Sequence, residues 1–320
     1  MGIKVSIIIP YYQNHNLLLN CVNSIIQQSV DKKAYEIIII NDNPNLRLDR
    51  NIFLFKNLII INNNSNLGPG LSRNKGINKS KGKYILFVDS DDLVKSDYLK
   101  KIFNYIDKYD FDILTFNSKY NKKLIDNEKY FILKKFLTAK IDTSVIYSIF
   151  KKSLILKNKI YFKAGVHEDI YFLFLTYKKS NKIKFLKSSF YKKNNINNSI
   201  INKISKARIK DYFEAYNDIT LICKKDPFFK NKYTLNKYIN TGQNGYFYDI
   251  INEIIRLENN IAIINQLIKH AIDLSKDQFN LTNQLIVSKK NMFNKFFFKI
   301  YLDKSIFTYE DLKILKKIEI

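Results

Sequence analysis

Cysteine is scarce in this sequence, with Cys21 and Cys223 the two cysteines among 320 residues. Two isolated thiols are too few for a disulfide framework or for a cysteine-ligated metal site. Their scarcity is typical of proteins that work in a reducing compartment. The chain is long enough to bury a substantial core, either as one large domain with an appendage or as two modest domains.

Long apolar runs are absent as well. No run approaches the roughly 20 residues that a membrane-spanning helix needs, and Met1–Ser6 lacks the basic-then-apolar layout of a signal peptide. We therefore expect a cytoplasmic protein. Residues 289–302 mix lysines with aromatic residues, which fits a helix lying on the inner face of the cytoplasmic membrane. The same pattern fits a core-packing helix whose lysines reach outward.

Acidic residues are outnumbered by basic ones. Asp and Glu total 29 against 54 Lys and Arg, which gives a formal net charge of +25, and residues 170–210 contain neither Asp nor Glu. Such a balance favours polyanionic partners: nucleic acid, anionic lipid surfaces or phosphorylated small molecules. The lysines are dispersed and no nucleic-acid-binding motif is present, so nucleic-acid binding is kept only as a remote alternative.

Apolar runs in the first third of the chain alternate with helical segments. The predicted strands are Val5–Ile9, Tyr35–Ile40, Leu58–Ile61 and Tyr84–Val88, and the predicted helices include 17–28 and 71–77. Near-continuous apolar strands separated by helices indicate an α/β fold with a mostly parallel sheet covered on both faces. Ligands of such sheets bind beyond the carboxyl ends of the strands.

Polar clusters follow three of these strands, at 10–14, 41–44 and 89–92. The last, Asp89-Ser90-Asp91-Asp92, is called the acidic turn below. Two carboxylates one residue apart at a strand end offer hard oxygen ligands to Mg²⁺ or Mn²⁺. Acidic residues before a helix are also ordinary caps, and the helix suggested by Leu93 and Tyr98 would use Asp92 in that way.

Five motifs follow one another along the chain. They are Val5–Asn14, Glu36–Asn43, Asn66–Ile77, Asp89-Ser90-Asp91 and Glu168-Asp169. In this order they resemble the motifs of the inverting family 2 glycosyltransferases, which have the GT-A fold. One motif departs from the family pattern, because Asn41 stands where the first of two acids is expected. The resemblance covers roughly the first 200 residues.

The resemblance implies a nucleotide-sugar donor and a bound Mn²⁺ or Mg²⁺. The implied metal ligands are Asp91 and Asp89, and the implied donor-binding residues are Pro10, Tyr11, Tyr12, Asn14, Asp42, Gly68, Arg73, Asp89 and Ser90. Asp42 can accept a hydrogen bond from the imide N–H of uracil, which favours a UDP-sugar; the alternative is an Asx-turn. The planar Arg73 guanidinium suits phosphate oxygens; the alternative is a structural salt bridge.

On the acceptor side, the resemblance implies that Asp169 is the general base. Such a base removes the proton of the acceptor hydroxyl as the oxygen displaces the diphosphate, and Glu168 would orient the acceptor. The alternative is that both acids simply start a helix. His167, Lys192 and Lys193 are candidates for contact with the diphosphate or the acceptor, although a lone histidine is more often structural.

These observations predict a GT-A catalytic domain over residues 1–200, with donor binding in 1–95 and the acceptor side in 96–200. A mainly helical extension is expected over 201–320. The expected reaction is metal-dependent transfer of a hexosyl or N-acetylhexosaminyl unit, with inversion, to a glycan or lipid-linked acceptor in capsule or lipooligosaccharide synthesis. Transfer to a polyprenyl phosphate is the alternative.

Overall fold

The structure is a computed structural model with two compact units. One comprises Met1–Phe136 and Ile141–Asn195, and the other comprises Leu137–Lys140 and Ile196–Ile320. The residues described are 2–50, 53, 55–116, 129–137, 141, 143–186, 191–193, 204–229, 247, 250–278 and 308–310. The domain boundary predicted at residue 200 and the basic aromatic segment 289–302 lie outside the described residues.

The first unit contains strands and helices in alternation. Its strands are β1 Val5–Tyr11, β2 Tyr35–Asn41, β3 Leu58–Asn62, β4 Tyr84–Phe87, β5 Leu93–Val94, β6 Ile113–Thr115, β7 Ser148–Lys151, β8 Ile183–Phe185 and β9 Tyr191–Lys192. Its helices are α1 His15–Ile26, α2 Pro69–Lys79, α3 Tyr98–Lys108, α4 Lys129–Leu137, α5 Lys152–Lys157 and α6 Glu168–Lys179.

Seven of these strands form one sheet in the order β3-β2-β1-β4-β7-β6-β8. The first four run parallel to one another, which confirms the predicted parallel sheet. Strand β7, which no sequence pattern predicts, lies antiparallel between β4 and β6. Because Val5 pairs with both Tyr35 and Tyr84, the carboxyl ends of β1, β2 and β4 lie side by side.

The continuous apolar strands are buried on both faces. Ile37 to Ile40 of β2 are all fully buried, as expected for a parallel strand covered by helices. Glu36 in the same strand is 2% exposed and accepts hydrogen bonds from the Ser6 hydroxyl and the Lys81 backbone N–H, both at 2.5 Å. A buried carboxylate is tolerated only with such partners.

Helix α2 packs closely on β1 because residue 76 is a glycine. A Cβ at Gly76 would lie 2.4 Å from Cγ2 of Ile8, a distance that atoms do not adopt. The helix begins after Gly68, whose φ of 82° is in the region that favours glycine, and it has Pro69 in its first turn. This close packing fixes the position of Arg73 beside the sheet.

The prediction that Leu93 begins a helix is wrong. Leu93–Val94 is a short strand that pairs antiparallel with β9, with Leu93 opposite Lys192 and Val94 opposite Tyr191. Helix α3 begins only at Tyr98. Asp92 therefore precedes a strand and does not cap a helix, and the pairing brings β9 beside the acidic turn.

The second unit is helical in its described residues, as predicted. It contains α7 Lys206–Lys225, α8 at residues 250–257 and α9 Ile261–Gln278. The Ser205 hydroxyl caps α7 by accepting from the Arg208 N–H, and the buried Arg208 guanidinium donates to Glu253 at 2.7 Å. Within the described residues, no helix combines the length and apolar character needed to cross a membrane.

Candidate active site

The acidic turn at the end of β4 is held by contacts with two other elements. The Asp89 backbone N–H donates to the Tyr191 hydroxyl at 2.8 Å, and the Cys21 thiol donates to the Asp89 carbonyl at 3.4 Å. The Asp92 N–H closes the turn on the same carbonyl at 3.2 Å. These backbone contacts fix the turn and leave the Asp89 carboxylate 30% exposed.

Arg73 brings acids from distant parts of the chain together. Its Nη2 lies 3.0 Å from Asp89 Oδ1, and its Nη1 lies 2.5 Å from Glu168 Oε1 and 3.0 Å from Asp169 Oδ1. We call these four residues the carboxylate cluster. The salt-bridge alternative for Arg73 is therefore present, with acids on other elements as partners. A contact between Arg73 and a donor phosphate stays a prediction.

Burial makes the acidic pair at the start of α6 hold protons tightly. Burial and the charge of Asp169 raise the pKa of Glu168 to about 7, with Arg73 acting in the opposite direction. Burial also raises the pKa of Asp169, although Arg73 and the Val145 N–H lower it in part. A carboxylate with a raised pKa is suited to receive a proton near neutral pH.

The Arg73 guanidinium stays charged in this setting. Burial alone would lower its pKa, but the charges of Asp169, Glu168 and Asp89 raise it above the ordinary arginine value. Its side chain is only 5% exposed. A buried charge of this kind is stable only when it is paired, so the cation and its acids form one interdependent unit.

Asp169 is aimed by partners on both of its oxygens. Its Oδ1 accepts from Arg73, and its Oδ2 accepts from the Val145 N–H at 3.1 Å and the Ser144 hydroxyl at 3.3 Å. The carboxylate is still 17% exposed. It is thus oriented and reachable, two properties that a general base requires.

The chain enters α6 through left-handed backbone. Gly165 has φ of 106°, and His167 at the N-cap has φ of 69°. Glu168 and the Lys163 carbonyl pack against α2. A Cβ at Gly70 would lie 2.7 Å from Glu168 Cγ and 2.8 Å from the Lys163 carbonyl oxygen. Glycine at position 70 leaves room for Glu168. A ligand contact of His167 stays a prediction.

Asp42 is buried and organises the loop that precedes α2. Its Oδ1 accepts from the Asn63 side chain at 2.8 Å and the Leu67 N–H at 2.9 Å, and its Oδ2 accepts from the Gly68 N–H at 2.7 Å. A carboxylate offers about four acceptor positions, and these bonds occupy three of them; the uracil contact stays a prediction. Asx-turn hydrogen bonds form instead at the neighbouring residues Asn41 and Asn43.

The predicted residues after β1 lie on the same rim as Asp42. The Tyr11 carbonyl accepts from the Asp42 N–H at 2.7 Å, while the Tyr11 side chain is 1% exposed and belongs to the core. Tyr12 is 42% exposed, so its ring is the one accessible to a base. Pro10 is partly buried within β1, between the buried residues Ile9 and Tyr11, and Asn14, with φ of 79°, is the N-cap residue of α1.

Asp89 and Asp91 are the predicted metal ligands, and binding of a metal by them stays a prediction. Burial and the charge of Asp89 raise the pKa of Asp91, and Lys193 partly offsets this. Two carboxylates that repel each other are stabilised by a divalent cation. In the described residues, no group of three or more His, Cys, Asp or Glu side chains converges to hold a metal, at the acidic turn or elsewhere. The remaining ligands of such a cation would be phosphate oxygens and water.

Lys192 and Lys193 return to the acidic turn through β9. Lys192 pairs with Leu93 across the ladder, and the charge of Lys193 acts on Asp91. Both lysines are exposed. Ser90, in the same turn, is partly buried. The structure thus places both lysines beside the predicted donor site, and their contact with a diphosphate stays a prediction.

Several residues that shape the site were not singled out from the sequence. They are Cys21, Asn63, Ser144 and Tyr191, each of which bonds to Asp42, Asp89 or Asp169. They come from α1, the end of β3, the segment before β7, and β9. No local pattern marks them, because each acts through a contact with a residue far away in the chain.

Comparison with known proteins agrees with this geometry. The model of glycosyl transferase family 2 matches residues 6–165. The poly(ribitol-phosphate) β-N-acetylglucosaminyltransferase TarP of Staphylococcus aureus is 29% identical over 311 residues, 88% of this chain and 92% of the relative. A poly(ribitol-phosphate) β-glucosyltransferase of Bacillus spizizenii is 31% identical over 193 residues, 56% of this chain and 30% of that longer protein.

The fold has a solved counterpart. The crystal structure of residues 1–349 of Staphylococcus aureus TarS in complex with UDP-GlcNAc superposes with a TM-score of 0.63 at 21% identity. The match covers 86% of this chain and 82% of that structure. At this identity the likeness establishes the GT-A fold, which confirms the predicted fold class.

Proposed function

Because the chain belongs to glycosyl transferase family 2, we propose that it transfers a sugar from a UDP-sugar to a hydroxyl of a phosphate-bearing surface glycan, with inversion. One observation carries this proposal: Arg73 joins Asp89, at the end of β4, to Glu168 and Asp169, at the start of α6. A donor-binding acid and a candidate base thus share one guanidinium.

The proposed donor is a UDP-hexose or a UDP-N-acetylhexosamine. Asp42 makes three hydrogen bonds to the protein, and its remaining acceptor capacity would suit the uracil imide N–H. The named relatives transfer N-acetylglucosaminyl and glucosyl units, and the TarS structure was solved with UDP-GlcNAc. These likenesses support a UDP-sugar donor. The proposal includes both a hexose and an N-acetylhexosamine as the transferred sugar.

In the proposed reaction Asp169 takes the proton of the acceptor hydroxyl. The hydroxyl oxygen attacks the anomeric carbon, and the bond from that carbon to the diphosphate oxygen breaks with inversion. Asp89 and Asp91 would hold Mn²⁺ or Mg²⁺, which when bound neutralises the charge of the leaving diphosphate. Lys192 and Lys193 lie where they can add positive charge on that side.

The proposed acceptor is an anionic polymer. The net charge of +25 favours a chain that carries many phosphates, and the named relatives act on poly(ribitol-phosphate). Phosphate-bearing polymers belong to the same broad class of surface glycans as the expected capsule-type acceptor. We place the reaction in the cytoplasm, with attachment to the inner membrane face through residues 289–302 as a separate proposal.

A donor and acceptor panel tests this function. Purified full-length protein is incubated with UDP-GlcNAc, UDP-glucose or GDP-mannose, each with Mn²⁺, Mg²⁺ or EDTA. The acceptors are a ribitol-phosphate oligomer, a neutral glycan and a polyprenyl phosphate. We expect UDP-sugar transfer to the phosphate oligomer, loss of activity in EDTA, and a β-linked product by NMR from the α-linked donor. Transfer from GDP-mannose alone, or to polyprenyl phosphate alone, would overturn the proposal.

A further inference from the structure

The Asn74 side chain makes a two-bond contact with a distant backbone segment. Its Nδ2 donates to the Phe162 carbonyl at 2.8 Å, and its Oδ1 accepts from the Phe162 N–H at 2.9 Å. The two residues are 88 positions apart. A side-chain amide supplies both the donor and the acceptor for this pairing, which neither a carboxylate nor an aliphatic side chain can do. We call this contact the Asn74 clamp.

Phe162 lies where three parts of the site meet. Its ring stacks on Phe172 of α6 at 4.0 Å with a 4° interplanar angle, and it meets Phe87 of β4 edge-on at 5.3 Å. The Arg73 guanidinium carbon lies 5.5 Å from the same ring. Phe87 is two residues before Asp89, and Phe172 is three residues after Asp169. The ring therefore contacts both elements that carry acids of the cluster, as well as the cation that joins those acids.

Residues 163–167 connect the clamp to the start of α6. Their backbone is left-handed at Gly165 and His167 and forms neither helix nor strand. Its two ends are fixed by Asn74 at Phe162 and by helix α6 at Glu168. Loss of the two Asn74 bonds removes the backbone attachment at Phe162 and leaves only the packing of the Phe162 ring to hold that end.

We infer that Asn74 is a positioning residue that holds Glu168 and Asp169 in register with Arg73 without touching substrate. Within the part of the chain that the structure describes, its side-chain hydrogen bonds are with Phe162, and none is with an acid of the cluster. Removing its side chain therefore leaves the charges of the cluster in place and changes only their alignment. This inference rests on the proposed transfer reaction, in which Asp169 receives the acceptor proton.

The expected effect is a loss of turnover without a loss of donor binding. A misplacement of about 1 Å at a catalytic group can lower a rate by about 10²-fold. For Asn74→Ala we expect kcat for transfer to fall by about 10-fold to 10²-fold, while the Kd for the UDP-sugar stays within about twofold of wild type. The matched control is Asn158→Ala, which removes an asparagine bond to the Leu154 carbonyl at the end of α5.

Hydrogen–deuterium exchange measures the effect of the Asn74 clamp on backbone amides independently of sugar transfer. In wild-type protein we expect slow exchange of the Phe162 amide, which is bonded to Asn74, and of the Ile170 amide in the first turn of α6, which is bonded to the His167 carbonyl. In Asn74→Ala these amides should exchange faster, while those of β1 stay unchanged. If Asn74→Ala does not fold, Asn74→Asp is used with the same measurements, since it keeps the shape and loses the bond to the Phe162 carbonyl.

Three results would overturn the inference: unchanged kcat in a folded Asn74 variant, a donor Kd that weakens in step with kcat, or unchanged exchange of the amides at 162 and 170. Failure of the proposed function is a different result. In that case wild-type protein transfers no sugar from either UDP-sugar to any acceptor in the panel. The exchange experiment still reports whether Asn74 holds the segment.

Discussion

The two acidic groups of the site share Arg73 but differ in their surroundings. Asp89 is 30% exposed, and Asp91 next to it feels the opposing charges of Asp89 and Lys193. Glu168 and Asp169 are 8% and 17% exposed, and Asp169 is further held by Ser144 and Val145. The acidic turn thus keeps a partly exposed carboxylate, whereas the α6 pair is more buried and is held in orientation by hydrogen bonds.

The largest expected effect comes from the base. Asp169→Asn should lower the transfer rate by about 10²–10⁴-fold, because an amide cannot take the acceptor proton. The donor Kd should change by less than about twofold. Initial rates with a ribitol-phosphate oligomer and calorimetric titration of the UDP-sugar measure the two quantities. Asp110→Asn is the control, since exposed Asp110 pairs only with surface lysines in the described residues. Normal transfer by Asp169→Asn would remove the distinction between the two acidic groups.

The next effect concerns the cation that the two groups share. Arg73→Ala leaves three carboxylates without their common partner, and breaking a buried pair in this way costs about 3–5 kcal/mol of unfolding free energy. Urea denaturation at pH 7.5 measures the cost. The control is Lys4→Ala, which removes a surface ion pair with Asp107 of the kind worth less than about 1 kcal/mol. Equal costs for the two variants would show that the cluster is not an interdependent unit.

A smaller effect on activity is expected from a substitution in the acidic turn. Asp91→Asn should lower kcat/KM for the donor by about 10²-fold, since metal assistance to a leaving group is worth several kcal/mol. Its remaining activity should no longer respond to Mn²⁺. The measurement is donor turnover across a Mn²⁺ titration. Asp92→Asn is the control in the same turn, because the Asp92 side chain is buried. Full metal-dependent turnover by Asp91→Asn would exclude it as a metal ligand.

The smallest effect is a pH dependence of stability. The raised pKa of Glu168 means that its contribution to stability is present below the unfolded pKa of 4.5 and is lost as pH rises through about 7. Glutamine mimics the protonated Glu168 side chain, so its contribution to the unfolding free energy is not lost as pH rises. The unfolding free energy of Glu168→Gln relative to wild type should therefore rise by about 1–3 kcal/mol between pH 4.5 and 7. A difference that falls with pH would show that the ionised Glu168 is net stabilising.

Much of the fold can be predicted from the sequence because its signals are local. The apolar runs of β1 to β4 and the helical spacing of α1 and α2 each lie within a dozen residues, and the structure confirms them. Strand β5 was missed because two residues carry no period, and its partner β9 lies about a hundred residues away. Strand β7 was missed for a related reason: it enters the sheet antiparallel, from within a lysine-rich stretch.

The site was predictable in its residue types and less so in its contacts. Motif order drew attention to Asp42, Arg73, the acidic turn and the α6 pair, and all of them lie near the carboxyl ends of the strands or at the entry to α6. Their hydrogen-bond partners depend on how distant segments pack. The three acids bound by Arg73 lie 16, 95 and 96 residues away, and no spacing rule connects such positions.

The central claim is that the acidic turn binds the donor and the α6 pair serves the acceptor, and one paired titration tests it most directly. UDP-GlcNAc with Mn²⁺ is titrated calorimetrically into Asp91→Asn and into Asp169→Asn, each checked for folding by its thermal transition. We predict that Asp91→Asn weakens donor binding by about 10-fold or more, whereas Asp169→Asn binds the donor like wild type and transfers sugar about 10²–10⁴-fold more slowly. Equal weakening in both variants, or weakening in Asp169→Asn alone, would contradict the account.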